Sequence, residues 1–502
     1  MNIADSLTVL KVELMQTVAP QIVDLLAAAT ANAQPIHEVE NGLWDVLLRV
    51  GKQALGAFIA HQGSGDLGAT VTLPDGQEIR RLEQLHTRRY VSIFGVFELQ
   101  RTVYGNREGQ ALEFVPLDNR LQLPASAFSY VLQDWDQALA VEQPFGQVNQ
   151  TIARMLKLQQ SVDSLEGGNR QMAQDVGWFR ETQGPPPPAE EGQIVVVTAD
   201  CKGIVIRGQG TPTVCGGQRP AGQRANQKRM ATVGAVYTVD PYQRTVADVV
   251  AALFRDEDHK ASPRPQPCHK RVWASLPDDG SQPKSSIDKV FTWLWWEFPQ
   301  RNPLLERPTV CICDGQETLW QACADSIWDD GRVEVLDLLH VTPRLWQAAK
   351  LLYGDKGKEV LPFVRRRVTQ ILEGKVETVM RTLRRLGKER ELNAAKKKVL
   401  NRLCQYFNKN RARMRYDEYL RAGYPIASGV IEGACRHLIK DRMERAGMHW
   451  TLEGAQAMLD VRSVWICDQW NAFQVQRIDR ETKRLYPQRH LVAGEAFFAQ
   501  AV

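Results

Sequence analysis

Ile194-Val-Val-Val-Thr-Ala-Asp200 is the stretch that decides the fold. Its run of β-branched residues predicts a strand that is buried on both faces, as in a sheet covered by helices. A second run, Thr309-Val-Cys-Ile-Cys-Asp314, has the same character, and Val333-Glu-Val-Leu-Asp-Leu-Leu-His340 predicts a third strand of this kind. Ile204-Val-Ile-Arg207 and residues 231–239 predict the strands between them. The sequence therefore predicts an α/β domain around a buried sheet.

Outward from that sheet, composition changes mark the borders of other regions. Gly184-Pro-Pro-Pro-Pro-Ala-Glu-Glu-Gly192 predicts a linker, because a proline run cannot continue a helix and stays extended. The predicted regions are an N-terminal helical and β-hairpin region (1–125), a helical region (126–183), the linker (184–192), an α/β core (193–342 and 423–502) and an all-helical insertion (343–422).

Charge is concentrated in the helical insertion. Residues 341–426 carry 22 Lys and Arg against 8 Asp and Glu, which is +14, so the remaining chain sums to −9 within the total of +5. Such a basic block is typical of a polyanion partner. The alternative is the solvated face of long helices.

Residues 126–183 contain the pattern of two short helices with a tight break. Residues 144–156 predict the first helix, and Ser161 is a good N-cap for a second one that runs towards Met172. This is the shape of a helix-turn-helix, whose second helix enters a DNA major groove. Any pair of short packed helices has the same pattern, and Gly167-Gly168 weakens the second helix.

Several classes of protein are excluded or unsupported by the 502 residues. No apolar run approaches the ~20 residues that span a membrane, and the N-terminus lacks the basic and apolar regions of a signal peptide. The nine cysteines include no C-x-x-C pair, which argues against a disulfide framework or a zinc finger. There is no P-loop, no G-x-S-x-G and no H-E-x-x-H. We expect a cytoplasmic protein with reduced thiols and no membrane partner.

Asp200 and Asp314 have the same context. Each is predicted to end an apolar strand, and each is followed within three residues by glycine. If the two strands are neighbours, about 4.8 Å apart, the two carboxylates point into the same space. Adjacent carboxylates repel unless a cation lies between them, and Mg²⁺ suits that position. The alternative is that each aspartate caps a loop.

A third candidate group lies in the predicted helix that begins near residue 428. At about 100° per residue, Glu432, Arg436 and Lys440 share one face of that helix. A carboxylate with two cations on the following turns fits a site for metal and phosphate, and it fits an ordinary surface ion pair equally well. His340, three residues after Asp337, could ligate a metal or be a structural histidine.

The chain resembles a known family, the bacterial insertion-sequence transposases of the DDE type, specifically the ISKra group. The resemblance runs along most of the chain, and its last motif is the most specific. The motifs are PLDNRLQLP (116–124), VVVTADCKG (195–203), KRVWASL (270–276), CDGQETLW (313–320), LDLLHVTPRLW (336–346) and GVIEGACRHLIKDRMERAGMHWTLEGAQAMLDVRS (429–463).

The resemblance implies a ribonuclease-H-like catalytic core with a helical insertion before the last acidic residue. It implies that Asp200, Asp314 and Glu432 are the catalytic, metal-binding triad. It also implies an accessory D-x-x-H element formed by Asp337 and His340.

Near the third acid, Lys440 and Arg442 resemble phosphate contacts, and with Arg436 they make the predicted DNA-binding set. The expected reaction is phosphoryl transfer on DNA with two Mg²⁺ or Mn²⁺ ions, about 3.5–4 Å apart. The expected partners are the transposon's terminal inverted repeats and the target DNA, bound by a homodimer or larger assembly associated with the bacterial nucleoid. Alternatives are a catalytically silent DNA-binding protein derived from a transposase, and a metal-dependent nuclease on the same fold.

Overall fold

The computed structural model describes residues 16, 20–105, 114–207, 226–257, 263–279, 283–445 and 448–492. The chain divides into two compact units, Met1–Gln171 with Asn471–Val502, and Met172–Trp470. This division differs from the predicted border at the proline run. It also assigns the last helix, predicted as part of the core, to the first unit. Residues 1–15, which belong to the predicted N-terminal helical region, lie outside the described residues.

The first unit combines helices with two small antiparallel sheets. The predicted hairpin is confirmed, since β3 and β4 pair over seven positions from His86↔Arg101 to Ser92↔Gly95. The other sheet has the order β1-β2-β5. The elements are helical residues 20–31, α1 (Ile36–His61), β1 (Thr70–Thr72), β2 (Glu78–Arg81), β3 (His86–Ser92), β4 (Gly95–Arg101), β5 (Tyr104–Gly105), α2 (Pro116–Leu121), α3 (Tyr130–Ala140), α4 (Phe145–Leu156) and the first half of α5 (Val162–Thr182).

The two helices of the predicted helix-turn-helix pattern are α4 and α5. Ser161 caps α5 as predicted, because its Oγ accepts a hydrogen bond from the backbone N–H of Ser164 at 3.0 Å. The helix is longer than predicted and continues to Thr182 despite its three glycines. Its second half carries a buried stripe, Met172, Val176 and Phe179, at helical spacing, and this burial offsets the cost of the glycines.

The second unit is built on a mixed five-stranded sheet of order β10-β9-β6-β7-β8, and the predicted α/β class is confirmed. Strand β6 lies at the centre, antiparallel to β7 and parallel to β9. Strands β7 and β8 are antiparallel, and β9 and β10 are parallel. The strands are β6 (Ile194–Arg207), β7 (Asn226–Val239), β8 (Cys268–Ser275), β9 (Thr309–Cys313) and β10 (Val333–Leu336).

The prediction that Asp200 ends its strand is wrong. Strand β6 runs on to Arg207 and pairs with β7 along its whole length, so Ile204-Val-Ile-Arg207 is its continuation and not a second strand. Ile204 and Ile206 are buried, and this gives the extension its own packing. The pairing of β6 with β9 stops at Ala199↔Cys313. Asp200 therefore marks the point where the two parallel strands separate.

The third predicted strand is also shorter than expected. Only residues 333–336 are strand, and a helix begins at Leu338. Asp337 is the N-cap of that helix, because its side chain accepts a hydrogen bond from the N–H of Leu339 at 2.8 Å. His340 consequently lies in the first turn of a helix, and the prediction that it ends a strand is wrong.

Helices cover both faces of the sheet, and residues 343–422 are all-helical as predicted. Val196 and Ile312 belong to the core beneath the basic helices, whereas Val197 and Cys311 pack on the opposite face against α7 and α8. The helices of this unit are α6 (Val246–Phe254), α7 (Ser286–Arg301), α8 (Glu317–Ser326), α9 (Leu338–Tyr353), α10 (Val360–Leu372), α11 (Val376–Glu389), α12 (Ala394–Asn410), α13 (Tyr416–Ala422), α14 (Gly429–Ala434), a π-helix (Cys435–Lys440), α15 (Asp441–Met443) and α16 (Leu452–Ile466). The last helix, α17 (Trp470–Leu485), belongs to the first unit from Asn471 onwards.

The proline run is fixed to the second unit. Gly184 accepts a hydrogen bond through its carbonyl from Arg271 Nη2 at 2.6 Å. Seven residues later, Glu191 forms an ion pair with Arg301, whose side chain is fully buried. A buried ion pair that loses one partner costs about 3–5 kcal/mol, so Glu191 is a strong anchor. These contacts explain why the chain does not divide at the prolines. No described helix is long and apolar enough to cross a membrane.

Candidate active site

Asp200 and Asp314 occupy matching positions on adjacent parallel strands. The last paired residues of β6 and β9 are Ala199 and Cys313, and each aspartate is the next residue in its chain. Side chains alternate along a strand, so Asp200 shares a face with Thr198, and Asp314 shares the same face with Ile312. Both aspartates are partly exposed. The structure thus confirms that the two strands are neighbours and that the two residues lie at one edge of their pairing.

The surroundings of Asp200 are set by the helix that follows Ser428. Its Oδ1 accepts a hydrogen bond from the N–H of Cys201 at 2.7 Å, and its Oδ2 accepts one from the thiol of Cys435 at 3.7 Å. Burial and the charge of Asp200 raise the pKa of the Cys435 thiol, so it remains a protonated donor. The segment after α14 therefore packs directly over the aspartate on β6.

Asp314 lies beside two residues of the basic helices that sequence reasoning did not single out, Tyr406 and Arg344. Gly315 is required here, since a Cβ at this position would lie 2.1 Å from a ring carbon of Tyr406. The Arg344 guanidinium lies 3.6 Å from the centre of that ring. The pKa of Tyr406 is raised to about 12, chiefly by burial, with Arg344 opposing the rise and the charges of Asp314 and Asp337 contributing to it. Arg344 makes no ion pair with a carboxylate among the described residues, so an arginine without a carboxylate partner lies on the ring that borders Gly315.

Glu432 is in α14, whose N-terminus is fixed to the sheet. The hydroxyls of Ser428 and Thr198 lie 2.9 Å apart and are both buried. The Ser428 hydroxyl also accepts a hydrogen bond from the N–H of Ile431 at 3.3 Å. Because Thr198 shares its strand face with Asp200, these bonds hold α14 over the face that carries both aspartates.

The described residues contain one group of three side chains arranged as metal ligands. The ligand atoms of Asp337, His340 and Glu432 all lie within 4.8 Å of one another. Asp337 is 1% exposed, His340 is partly exposed and Glu432 is exposed. Burial raises the pKa of Asp337 to about 6, His340 opposes this rise, and the charge of Glu432 adds to it. A buried carboxylate with another carboxylate beside it is stabilised by a cation.

The structure therefore assembles the predicted residues in two groups. Glu432 joins the predicted accessory residues Asp337 and His340. Asp200 and Asp314 are matched in register on the strands, but in the part of the chain that is described neither belongs to a group of three ligands within 4.8 Å. Cys435 links the two groups, since it follows Glu432 by three residues and contacts Asp200.

The prediction that Glu432, Arg436 and Lys440 share one face required an α-helix over the whole segment, and it is wrong. Residues Cys435–Lys440 form a π-helix, in which hydrogen bonds run from i to i+5 and the turn is wider. The guanidinium of Arg436 lies 3.7 Å from the carboxylate of Asp441, and Lys440 is exposed. Single π-turns within helices are frequent at functional sites.

The third predicted phosphate contact, Arg442, is 1% exposed. Its guanidinium lies 5.0 Å from the ring centre of Trp450, and its Nη1 contacts the sulfur of Met448 at 3.5 Å. In this conformation it packs inside the unit and does not face solvent. Arg436 and Lys440 are the predicted cations that remain accessible.

The donor chemistry of the two groups differs. Mg²⁺ binds one or two carboxylates and keeps its other positions for water and phosphate. Asp200 and Asp314 supply such carboxylates. Imidazole with carboxylates suits Mn²⁺, Zn²⁺ or Fe²⁺ as well. The buried, charge-crowded carboxylate of Asp337 fits a divalent cation.

The sequence matches no protein family model, and a search of curated proteins finds no match.

Proposed function

We propose that this chain is a DNA transposase, which cuts and joins DNA by metal-dependent phosphoryl transfer with Asp200, Asp314 and Glu432 as its acidic triad. The observation that carries the proposal is the matched position of two aspartates where β6 and β9 separate, with the helix of Glu432 fixed over the same face. Asp200, Asp314 and Glu432 come from distant parts of the chain, and none of them forms an ion pair with a Lys or Arg among the described residues. That is an arrangement that stability alone does not favour.

The strand order supports a ribonuclease-H-like core for this unit, as the resemblance implies. Strands β6, β7 and β8 are consecutive in the chain and antiparallel to one another. Strands β9 and β10 then extend the sheet on the other side of β6, parallel to it. In open α/β sheets, ligands bind beyond the carboxyl ends of parallel strands. Asp314 follows the carboxyl end of β9, where such a fold would place its second acid.

The basic helices support DNA as the substrate. Their exposed faces carry clusters such as Arg384-Arg385 on α11 and Lys396-Lys397-Lys398 on α12. Lys and Arg that neutralise phosphates release counterions, so binding should weaken steeply as salt rises. The helix-turn-helix pattern of α4 and α5 is the proposed reader of the terminal repeats, and a dimer or larger assembly would bring two DNA ends together.

Divalent ions, Mg²⁺ or Mn²⁺, would be held by the triad together with Asp337 and His340, and they would stabilise charge on the reacting phosphate. The protein's own residues then have separate roles in this proposal. Arg344 and Lys440 would orient phosphate oxygens. His340 would fix the position of Glu432 within the cluster.

The test is cleavage of a labelled duplex that carries the element's own end, with Mg²⁺ or Mn²⁺ and a target plasmid. The native chain is compared with Asp314→Asn and with a control variant, Asp330→Asn, at an exposed aspartate of the turn before β10. We expect the native chain and the control to nick the end and join it to the plasmid. We expect Asp314→Asn to bind the duplex without nicking it.

Other outcomes select the alternatives. Nicking without joined products would identify a nuclease. Binding by all three proteins without nicking would identify a silent DNA-binding protein. Equal nicking by the native chain and Asp314→Asn would refute the triad.

A further inference from the structure

A cavity of about 180 Å³ lies within the first unit and is lined mainly by α3 and the first half of α5. It is smaller than the range of about 300–1,000 Å³ that is typical of sites for drug-sized ligands. A water molecule takes up about 30 Å³ of the liquid, so the cavity has the volume of roughly six waters or of one small organic molecule. None of the acidic residues of the candidate active site lines it.

Two adjacent glycines, Gly167 and Gly168, form part of the cavity wall. Glycine is the least favourable residue after proline in a helix interior, so the pair does not benefit α5 itself. A Cβ at Gly168 would lie 3.3 Å from the side-chain nitrogen of Gln137, whereas a Cβ at Gly167 would meet no heavy atom within 4 Å. The space beside Gly167 is therefore open cavity. The glycine pair, which weakens the helix, leaves room for a bound molecule.

The wall also carries a buried carboxylate, Asp136 of α3, which is 4% exposed. Gln160 Nε2 donates to both of its oxygens, at 2.9 and 3.0 Å. A carboxylate offers about four acceptor positions, so one amide group leaves part of this capacity unused. Burial raises the pKa of Asp136 to about 7, and the hydrogen bond from Gln160 opposes the rise. A buried carboxylate without a cation avoids its charge by taking up a proton, and a cation beside it would keep it ionised.

The protein itself supplies no such cation among the described residues. Asp136 forms no ion pair there, and it is the one residue of the cavity wall with a formal charge. Three basic residues either lie next to the lining residues in sequence or contact one of them, and each has an acidic partner. The pairs are Lys157–Asp45 at 3.6 Å, Arg170–Glu166 at 3.8 Å, and Arg477–Glu481 at 3.7 Å. A cation for Asp136 therefore has to come from a bound molecule.

The remaining wall is mostly polar and neutral. The Ser126 hydroxyl accepts a hydrogen bond from the N–H of Phe128 at 3.1 Å, which leaves its own hydrogen free to donate. The side-chain amide of Gln171 has no hydrogen-bond partner in the part of the chain that is described. Hydroxyls and amides match neutral polar groups of a ligand, and a second ammonium group would meet no second carboxylate.

We propose that this cavity binds a small molecule with a single ammonium group, held on Asp136, and with neutral hydroxyl or amide groups that contact the serine and glutamine wall. The carboxylate provides the charge, and the glycine pair provides the space. When the ammonium binds, a protonated Asp136 releases its proton to solvent, and an ion pair replaces the neutral carboxyl. The proposal is independent of the proposed function, because neither the site nor its test involves DNA or the acidic triad.

The experiment measures binding to the full chain by isothermal titration calorimetry, with three matched pairs of small molecules. In each pair a hydroxyl replaces the ammonium group: ethanolamine and ethylene glycol, serinol and glycerol, glucamine and sorbitol. We expect at least one amine to bind at least about tenfold more tightly than its hydroxyl partner, since only the amine makes a charge-assisted hydrogen bond. Its affinity should rise about tenfold from pH 6 to pH 8, because Asp136 ionises over this range while an aliphatic ammonium stays protonated.

Two variants test the wall, and each has a matched control. Asp136→Asn should weaken that amine at least about tenfold and remove the pH dependence. The control is Asp163→Asn, an exposed acid in the first turn of α5. Gly167→Leu should fill the open space and weaken the amine by a similar factor, and misfolding is not expected because leucine favours a helix. The control is Gly177→Leu, on the same helix but outside the cavity wall, where a Cβ also meets no heavy atom within 4 Å.

Circular dichroism checks the fold of each variant, and if Asp136→Asn does not fold, the glycine variants still decide. The absence of binding by all three amines would overturn the proposal, as would equal affinities within every pair. An equal loss in Gly177→Leu and Gly167→Leu would also overturn it, because the loss would then not come from the cavity. Amine binding by a chain that never cuts DNA would leave this site standing and count only against the proposed function. A chain that cuts DNA and binds no amine would give the reverse result.

Discussion

Two pairs of carboxylates, Asp200 and Asp314 at the strand ends and Asp337 and Glu432 on the helices, both place like charges near one another. Their surroundings differ. Asp200 and Asp314 lie partly exposed at the end of a strand pairing, and each accepts a hydrogen bond from a backbone N–H group. Asp337 is buried beneath the first turn of α9, with His340 and Glu432 beside it. The first group remains accessible to a ligand. In the second group burial raises the pKa of Asp337, and the charge of Glu432 adds to that rise.

This difference separates the roles of the groups. A partly exposed pair on rigid strands can contact substrate and metal without changing the fold. In the buried cluster Asp337 caps α9 and lies beside Glu432 of α14, so the cluster is placed to position Glu432. If the two groups form one site, loss of Asp200, Asp314 or Glu432 should abolish chemistry, whereas loss of Asp337 or His340 should weaken it.

The largest expected effect is that of Asp200→Asn. We expect DNA cleavage to fall about 10³-fold or more, because a group that contacts the reacting phosphate is lost. The fold should persist, since an asparagine Oδ1 can still accept from the N–H of Cys201. Single-turnover cleavage with saturating DNA measures it, and circular dichroism checks the fold. A rate within tenfold of the native chain would place the chemistry elsewhere.

A smaller effect is expected for His340→Asn. Residues that orient metal ligands typically cost 10–100-fold in metal affinity or activity when they are changed. Because imidazole favours Mn²⁺ over Mg²⁺, the variant should lose more activity in Mn²⁺ than in Mg²⁺. Titration of both ions in the cleavage assay provides the measurement. If His340→Asn is as damaging as Asp200→Asn, the distinction between strand pair and helix cluster is wrong, and if it has no effect, the histidine is structural.

Local sequence patterns were sufficient for the strands but not for their ends. The β-branched run before Asp200 predicted the central strand, and the run before Asp314 predicted its parallel neighbour. The end of β6 was missed because an antiparallel partner, β7, supports it for seven residues beyond Asp200. The length of a strand depends on such partners, which are distant in sequence.

The candidate site shows the same limit. Glycine after Asp314 suggested a turn, whereas its structural reason is the ring of Tyr406, about 90 residues later in the chain. The segment from Val333 to His340 has the apolar pattern of a strand throughout, and only the capping bond of Asp337 divides it into strand and helix. A capping signal was present in the sequence, since aspartate is a preferred N-cap. The π-turn after Ala434 had no such signal.

The smallest expected effect, on stability, tests whether the cluster is a cation site. The folded state raises the pKa of Asp337 from 3.8 to about 6, so the folded chain holds its proton more tightly than the unfolded chain does. Ionisation of Asp337 therefore lowers the free energy of unfolding as pH rises from about 4, and the full decrease is reached above pH 6. Asp337→Asn keeps an N-cap residue and removes the charge. Without metal it should be more stable than the native chain by roughly 1–3 kcal/mol above pH 6, and equal to it near pH 4.

The matched control is Asp136→Asn in the first unit. Asp136 is 4% exposed and accepts hydrogen bonds from Gln160, and burial raises its pKa to about 7. Its variant should gain stability above pH 7 both with and without Mn²⁺. For Asp337→Asn the gain should disappear or reverse in Mn²⁺, since a ligand that binds only the folded state stabilises the native chain by about 2.7 kcal/mol at 100 times its Kd. Calorimetry from pH 4 to pH 9, with and without Mn²⁺, measures the free energy of unfolding of the native chain and of both variants. A gain that is unchanged by Mn²⁺ in both variants would mean that the cluster is a buried structural group and binds no cation.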